Sequence, residues 1–186
     1  MDGLDDATAR GTRDRALLLL GFGGGFRTSE LAALRVEDLV VTELGVQVLV
    51  RRGKEDQVGR GKHTTVPRGA TATSCPVHAL ERWLEQLGHL TEGLLFRRID
   101  GARVRTCAMG ERAVSRAVQR TAARAGLRGK YSSHSLRAGL CTSAYVAGMT
   151  IREIADHCRM DCPQTVYRYL HPERVPGRPN VAAGLL

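Results

Sequence analysis

One block of β-branched residues, between positions 38 and 67, most constrains the fold, because the stretches on both sides of it are helical in pattern. The block holds three short runs at 39–41, 46–50 and 64–66, separated by glycine and polar turn formers. Consecutive short runs joined by turns pair as antiparallel neighbours. The sequence therefore predicts an α+β, mainly helical domain with one small three-stranded antiparallel sheet.

The spacing of apolar residues predicts helices before and after this sheet. A first helix over 7–20 is stopped by the glycines at 23–25, and a second, short helix covers 29–35. Further helices are predicted over 77–87, 111–125, 135–146, 150–158 and 163–170. Thr150 and Glu153 have the spacing of a capping box, and Pro163 suits a first helical turn.

Length and cysteine usage indicate one intracellular domain. A chain of 186 residues buries one sizeable core and is small for two. The five cysteines have no spacing typical of a secreted disulfide framework, so we expect reduced thiols. The apolar run at 16–26 contains four glycines and is too short to span a bilayer. We therefore predict a soluble, cytoplasmic protein without a membrane partner.

The positive charge is concentrated in one segment. The chain has 28 Lys and Arg against 19 Asp and Glu, a formal charge of +9. Residues 97–137 hold 11 of the basic residues and two acidic ones, and so carry the whole excess. Within this segment four arginines recur every fourth residue along one predicted helix: Arg112, Arg116, Arg120 and Arg124. Such a stripe is either a solvated helix face or a surface for a polyanion such as DNA.

Five scattered residues form a set suited to attack on a phosphodiester. Two guanidiniums, Arg27 and Arg137, can clamp the non-bridging oxygens as charge develops on them. The phenol of Tyr169 can act as the nucleophile, with His134 as its base. Lys54, on a polar glycine-containing connection, can protonate the departing sugar oxygen.

At these positions the sequence resembles the tyrosine recombinases, also called the phage integrase family. Residues 24–39, GGFRTSELAALRVEDL, resemble the family's first arginine box, and 134–137, HSLR, resemble the second. Residues 165–170, TVYRYL, resemble the nucleophile segment, and 52–57 resemble the lysine hairpin. The resemblance covers nearly the whole chain.

The resemblance implies a tyrosine recombinase catalytic-domain fold and a DNA strand transferase that performs site-specific recombination or integration. Such an enzyme cuts one strand of double-stranded DNA, forms a 3′-phosphotyrosine and rejoins the end to another strand, without metal or other cofactor. It also implies that Glu30 supports Arg27, that the arginine helix lies near the DNA, and that the protein assembles as a homo-tetramer on DNA, although this chain alone can be a monomer.

The sequence departs from the family pattern in two places. Where the family has histidine or tryptophan nine residues before the nucleophile, this chain has Met160, preceded by Arg159 where glycine is usual. Only a few residues precede the first helix, so we expect the N-terminal DNA-clamping domain to be absent. We interpret 1–170 as the catalytic domain and 171–186 as a tail that is a candidate for docking on a neighbouring subunit.

Some alternatives stay open at the level of sequence. Tyr167 is a second candidate nucleophile, but we prefer Tyr169 from its distance to the other boxes. A zinc set drawn from 157–171 has weak spacing, so we assign no metal. Two other functions compete with recombination: a DNA-binding module of this fold whose catalysis is weakened or lost at Met160, and a type IB topoisomerase-like enzyme that nicks and reseals DNA.

Overall fold

The computed structural model of the chain describes residues 7–51 and 61–171. Its α-helices are α1 (Ala9–Gly23), α2 (Thr28–Ala33), α3 (Pro76–Gln86), α4 (Glu111–Arg124), α5 (Ser133–Val146) and α6 (Ile151–His157). Its strands are β1 (Leu39–Thr42), β2 (Gly45–Val50), β3 (Lys62–Pro67), β4 (Arg97–Asp100) and β5 (Arg103–Ala108). Short 3-10 segments cover Val36–Asp38 and Pro163–Tyr169. The predicted α+β, mainly helical fold is confirmed. No helix among the described residues is long and apolar enough to cross a membrane.

The glycines after α1 end the helix and bring the chain close to α6. α1 ends at Gly23, and the N–H of Gly24 donates to the Leu20 carbonyl at 2.9 Å. Gly25 has a φ of +53°, a conformation that residues with a Cβ rarely adopt. A Cβ added at Gly25 would lie 2.8 Å from Cys158 Sγ, so a larger residue would collide with the chain beyond α6. The glycines therefore allow close packing as well as a turn.

The three-stranded sheet has the predicted order and direction. β1 pairs with β2 and β2 with β3, both antiparallel. Val46 stands opposite Val66, and Val48 stands opposite Thr64. The three valines are fully buried in the main core, which α1 and α3 also line. The predicted lysine hairpin between β2 and β3 contains Lys54, and this residue lies outside the described residues.

A second hairpin, β4–β5, was not predicted from the sequence. Its strands are short and rich in arginine, which hides the usual apolar alternation. One signal was present: Gly101, with a φ of +59°, holds the first position of the two-residue turn between Asp100 and Arg103. The hairpin leads directly into α4.

A smaller apolar cluster holds the C-terminal part of the chain together. This C-terminal cluster consists of Cys141, Ile154, Ala155, Cys158, Met160 and Val166. Its members come from α5, from α6 and the residues just after it, and from the last 3-10 segment. The predicted capping box at the start of α6 is confirmed, since Glu153 N donates to Thr150 Oγ1 and Thr150 N donates to Glu153 Oε2.

The last predicted helix is a 3-10 segment, Pro163–Tyr169. With three residues per turn, side chains three apart lie on the same side. Val166 is fully buried and Tyr169 is half-buried on that side, whereas Tyr167 is 61% exposed. Tyr169 therefore faces the protein, whereas Tyr167 faces solvent.

Candidate active site

The first candidate arginine begins α2 and is fixed by a buried carboxylate. Arg27 is the N-cap residue of α2, and Glu30 Oε2 accepts its backbone N–H at 2.9 Å. Glu30 Oε1 accepts a second hydrogen bond, from Arg27 Nη1, at 2.8 Å. The Glu30 side chain is 2% exposed, whereas that of Arg27 is 29% exposed. The carboxylate thus holds a guanidinium that still reaches the surface.

The second candidate arginine is almost completely buried. Arg137 lies on α5 with 2% of its surface exposed. Its Nη1 donates to the Gly25 carbonyl, and its Nη2 donates to the Cys158 carbonyl at 2.7 Å. Its Nε has no hydrogen-bond partner within the described parts of the chain. Arg137 therefore joins the turn before α2 to the end of α6, and one of its donors is unused by the protein.

Tyr169 lies against this second arginine. The guanidinium carbon of Arg137 is 5.4 Å from the centroid of the Tyr169 ring, within the range of a cation–π contact. The hydroxyl of Thr142, on α5, donates to the Tyr169 carbonyl at 3.1 Å. The same hydroxyl accepts the backbone N–H of His171 at 3.1 Å. α5 thus carries both Arg137 and the anchor of the tyrosine segment.

His134 shares a cleft with Tyr169. His134 is exposed on the first turn of α5. Both side chains line an open cleft of about 780 Å³. Basic residues border the same cleft, among them Lys130 and Arg168. The tertiary structure therefore places Tyr169 between Arg137 and the cleft of His134, and Arg137 is joined in turn to Gly25, two residues before Arg27.

A third arginine, Arg159, also lies in this region and was not assigned a role from the sequence. It follows α6 directly and is 5% exposed. Its Nη2 donates to Glu30 Oε2 at 3.0 Å, so Glu30 is paired with two arginines. The available signal was a large basic residue at a position where the family has glycine.

Burial alone would raise the pKa of the Glu30 carboxyl. The charge of Arg159 and the hydrogen bonds from Arg27 and Arg159 outweigh this effect and hold the pKa below its ordinary value. Glu30 is therefore ionised at neutral pH. Three guanidiniums against one carboxylate leave a net positive site, which suits a phosphate ligand.

Two other predicted positions have packing roles in the structure. Met160 is 5% exposed and belongs to the C-terminal cluster, and its N–H donates to the Ala155 carbonyl at 2.8 Å. His157, in the same segment, is only partly buried, and its Nε2 lies 2.8 Å from the Gly23 carbonyl oxygen. The ring nitrogen of His157 is thus engaged by backbone.

The four arginines on α4 differ in their exposure and in their contacts. Arg112, Arg116 and Arg124 are exposed. Arg120 instead pairs with the buried Asp14 of α1, with 2.8 Å between Nη2 and Oδ2. Arg120 therefore also anchors α4 to α1, which the sequence did not predict.

The sequence of the chain is similar to those of known proteins. The model of the phage integrase family matches residues 1–174. An integrase/recombinase xerD homolog from Selenomonas ruminantium is 34% identical over 171 residues, covering 91% of this chain and 50% of that protein. A tyrosine recombinase XerC from Pelotomaculum thermopropionicum is 31% identical over 173 residues, covering 89% of this chain and 52% of that protein. The chain spans about half the length of the curated relatives it matches.

Solved structures share the fold at lower sequence identity. XerA recombinase aligns with a TM-score of 0.70 and 22% identity, covering 86% of this chain and 52% of that one. XerH site-specific recombinase, in a post-cleavage complex with palindromic difH substrate, aligns with a TM-score of 0.72 and 20% identity, covering 93% and 46%. The predicted tyrosine recombinase catalytic-domain fold is confirmed.

Proposed function

Because the chain belongs to the phage integrase family, we propose that it cleaves and rejoins strands of double-stranded DNA in site-specific recombination, with Tyr169 as the nucleophile. One observation carries this proposal: the buried guanidinium of Arg137 lies 5.4 Å from the ring of Tyr169. The same cation can stabilise the phosphate that the tyrosine oxygen attacks.

In the proposed reaction, the two arginines of the predicted set hold the scissile phosphate. Arg27 has an accessible guanidinium fixed by Glu30, and Arg137 has an Nε donor without a partner among the described residues. Donors fixed in advance stabilise the pentacoordinate transition state, in which charge on the non-bridging oxygens increases. Arg27 is already held by Glu30, whereas the buried Nε of Arg137 must become accessible to the phosphate.

Proton transfer is assigned to the two remaining members of the set. His134 lines the same cleft as Tyr169 and accepts the phenolic proton. Lys54 donates a proton to the departing 5′ oxygen; this assignment rests on sequence alone. The phosphotyrosine retains the bond energy for rejoining, so the proposed reaction uses no cofactor. We leave Met160 without a chemical step, since its thioether has no proton to donate.

DNA is the proposed partner, and α4 is its proposed contact surface. Arg112, Arg116 and Arg124 are exposed on α4, where they repel one another unless phosphates lie between them. Among the structural relatives, XerH has been solved in complexes with its difH substrate. We propose that this chain likewise acts on double-stranded DNA, as a homo-tetramer assembled there, and that residues 1–170 form the catalytic domain.

The central experiment traps the covalent intermediate. A nicked suicide DNA substrate, which loses a short fragment after cleavage, leaves the 3′ phosphate attached to protein. We expect an adduct with the unaltered protein and with Tyr167→Phe, and none with Tyr169→Phe. Tyr167 is a matched control because it is the same residue type, two positions away and 61% exposed.

Two outcomes would overturn parts of the proposal. DNA binding without any adduct in the unaltered protein would favour the DNA-binding module, and an adduct that persists in Tyr169→Phe would exclude this tyrosine as the nucleophile. Relaxation of supercoiled DNA without exchange of strands between sites would favour the topoisomerase-like enzyme.

A further inference from the structure

Arg159 occupies a backbone position that does not suit it. It follows the end of α6 with a φ of +58°, in the left-handed region where residues with a Cβ are strained and glycine is not. Among the residues that the structure describes, only His89 shares this feature without being glycine. Contacts of the Arg159 side chain must offset the strain.

These contacts occupy both ends of the guanidinium. Nη1 donates to the carbonyls of Gly24 and His157, each at 3.0 Å. Nη2 donates to the Gly25 carbonyl at 3.3 Å and to Glu30 Oε2 at 3.0 Å. The guanidinium carbon lies 4.7 Å from the centroid of the Phe26 ring. The Arg159 side chain is 3% exposed, and both of its terminal nitrogens are engaged by protein groups.

The groups that Arg159 holds are the anchors of the two clamp arginines. Glu30 accepts hydrogen bonds from Arg27 as well as from Arg159. The Gly25 carbonyl accepts hydrogen bonds from Arg137 as well as from Arg159. One side chain therefore connects the two halves of the proposed phosphate clamp.

We propose that Arg159 is a positioning residue for strand cleavage, which fixes the Glu30 carboxylate and the Gly25 carbonyl and through them the directions of Arg27 and Arg137. The inference rests on the proposed function. It assigns a task to Arg159, which stands in a strained conformation where the family has glycine.

The electrostatics of Glu30 support the inference. Burial raises the pKa of Glu30, and the charge of Arg159 is the largest effect that opposes it. The other groups that interact with the carboxylate are Arg27 and the Cys158 thiol. Without Arg159, the pKa of Glu30 should rise. As the pH is lowered, the Glu30 carboxyl would then take up its proton at a higher pH than in the unaltered protein. The ion pair with Arg27 would be lost at that same pH.

The first test compares cleavage by Arg159→Gly, which relieves the backbone strain, with cleavage by Arg159→Lys, which keeps the charge. At saturating suicide DNA, we expect Arg159→Gly to cleave about 10- to 100-fold more slowly, the scale of loss that misplaced catalytic groups cause. DNA affinity should be unchanged, and Arg159→Lys should restore part of the rate. The acid limb of the rate–pH profile should move to higher pH in Arg159→Gly. His89→Gly is the matched control for relief of strain elsewhere and should cleave normally.

The second test does not depend on activity. The carboxyl carbon of Glu30 is followed by NMR as a function of pH in the free protein. Its pKa should lie below the ordinary value of about 4.3 in the unaltered protein and rise in Arg159→Gly. If the unaltered protein forms no covalent adduct, the proposed function fails, while this titration still decides whether Arg159 controls Glu30. An unchanged Glu30 titration, or unchanged cleavage by Arg159→Gly, would overturn the inference.

Discussion

Replacing Gly25 by alanine tests whether the turn before α2 is as tightly constrained as its geometry indicates. The added Cβ would lie 2.8 Å from both Cys158 Sγ and Leu140 Cδ2, well inside the ordinary carbon contact of about 3.5–4.0 Å. Gly25 also has a φ of +53°. The substitution therefore introduces backbone strain and a collision at once.

The expected loss is the sum of these two effects. A left-handed conformation costs a residue with a Cβ about 1–2 kcal/mol. An extra methyl group in a packed site costs about 1–3 kcal/mol. We therefore expect Gly25→Ala to lower the free energy of unfolding by about 2–5 kcal/mol, a large part of the about 5–15 kcal/mol typical of a domain.

Gly126→Ala provides the matched control. Gly126 has a φ of +68°, but a Cβ added there would meet nothing within 4 Å. Its loss should therefore be the backbone cost alone, about 1–2 kcal/mol. The difference between the two variants measures the collision beside Cys158.

Urea unfolding followed by far-ultraviolet circular dichroism gives these free energies. Each kcal/mol should also lower the melting temperature by about 2–4 °C for a chain of this size. In a double-mutant cycle, Cys158→Ala should reduce the cost of Gly25→Ala, since it removes one of the two colliding atoms. If Gly25→Ala cost no more than Gly126→Ala, the argument for tight packing at this turn would be refuted.

Three further changes probe separate contacts. Thr142→Val removes the hydroxyl that donates to the Tyr169 carbonyl at 3.1 Å, so single-turnover cleavage should slow while urea unfolding shows a loss of about 1–2 kcal/mol. Met160→His should speed cleavage and leave DNA affinity unchanged, but burial of an imidazole in the C-terminal cluster should lower stability by about 1–3 kcal/mol. Trp83→Phe leaves the Leu95 carbonyl, now bound by the indole N–H at 2.8 Å, without that donor, so unfolding should become easier by about 2–4 kcal/mol.

Each of these expectations has an outcome that contradicts it. Normal cleavage by Thr142→Val would mean that other contacts position the tyrosine segment. Slower cleavage by Met160→His would show that methionine already serves this site well. Full stability of Trp83→Phe would mean that the buried hydrogen bond of the indole contributes little.

Structural features that depend on residues close together in the sequence were predictable from the sequence. The three strands follow from β-branched runs between turn formers, and the end of α1 follows from its glycines. The capping box at Thr150 was also correct, because it depends on side chains only three residues apart. The β4–β5 hairpin was missed because arginines dominate its strands and Gly101 is its only strong turn signal.

The sequence by itself determined the fold class and the family and proposed the candidate site residues, because these depend on local propensity and on ordered motifs along the chain. Only the tertiary structure showed Tyr169 against Arg137, bound Arg120 to Asp14 and drew Arg159 into contact with Glu30. The physical reason is distance along the chain. Arg159 and Glu30 are 129 residues apart in sequence, and a buried guanidinium points toward whichever carbonyls and carboxylates the packed helices bring to it.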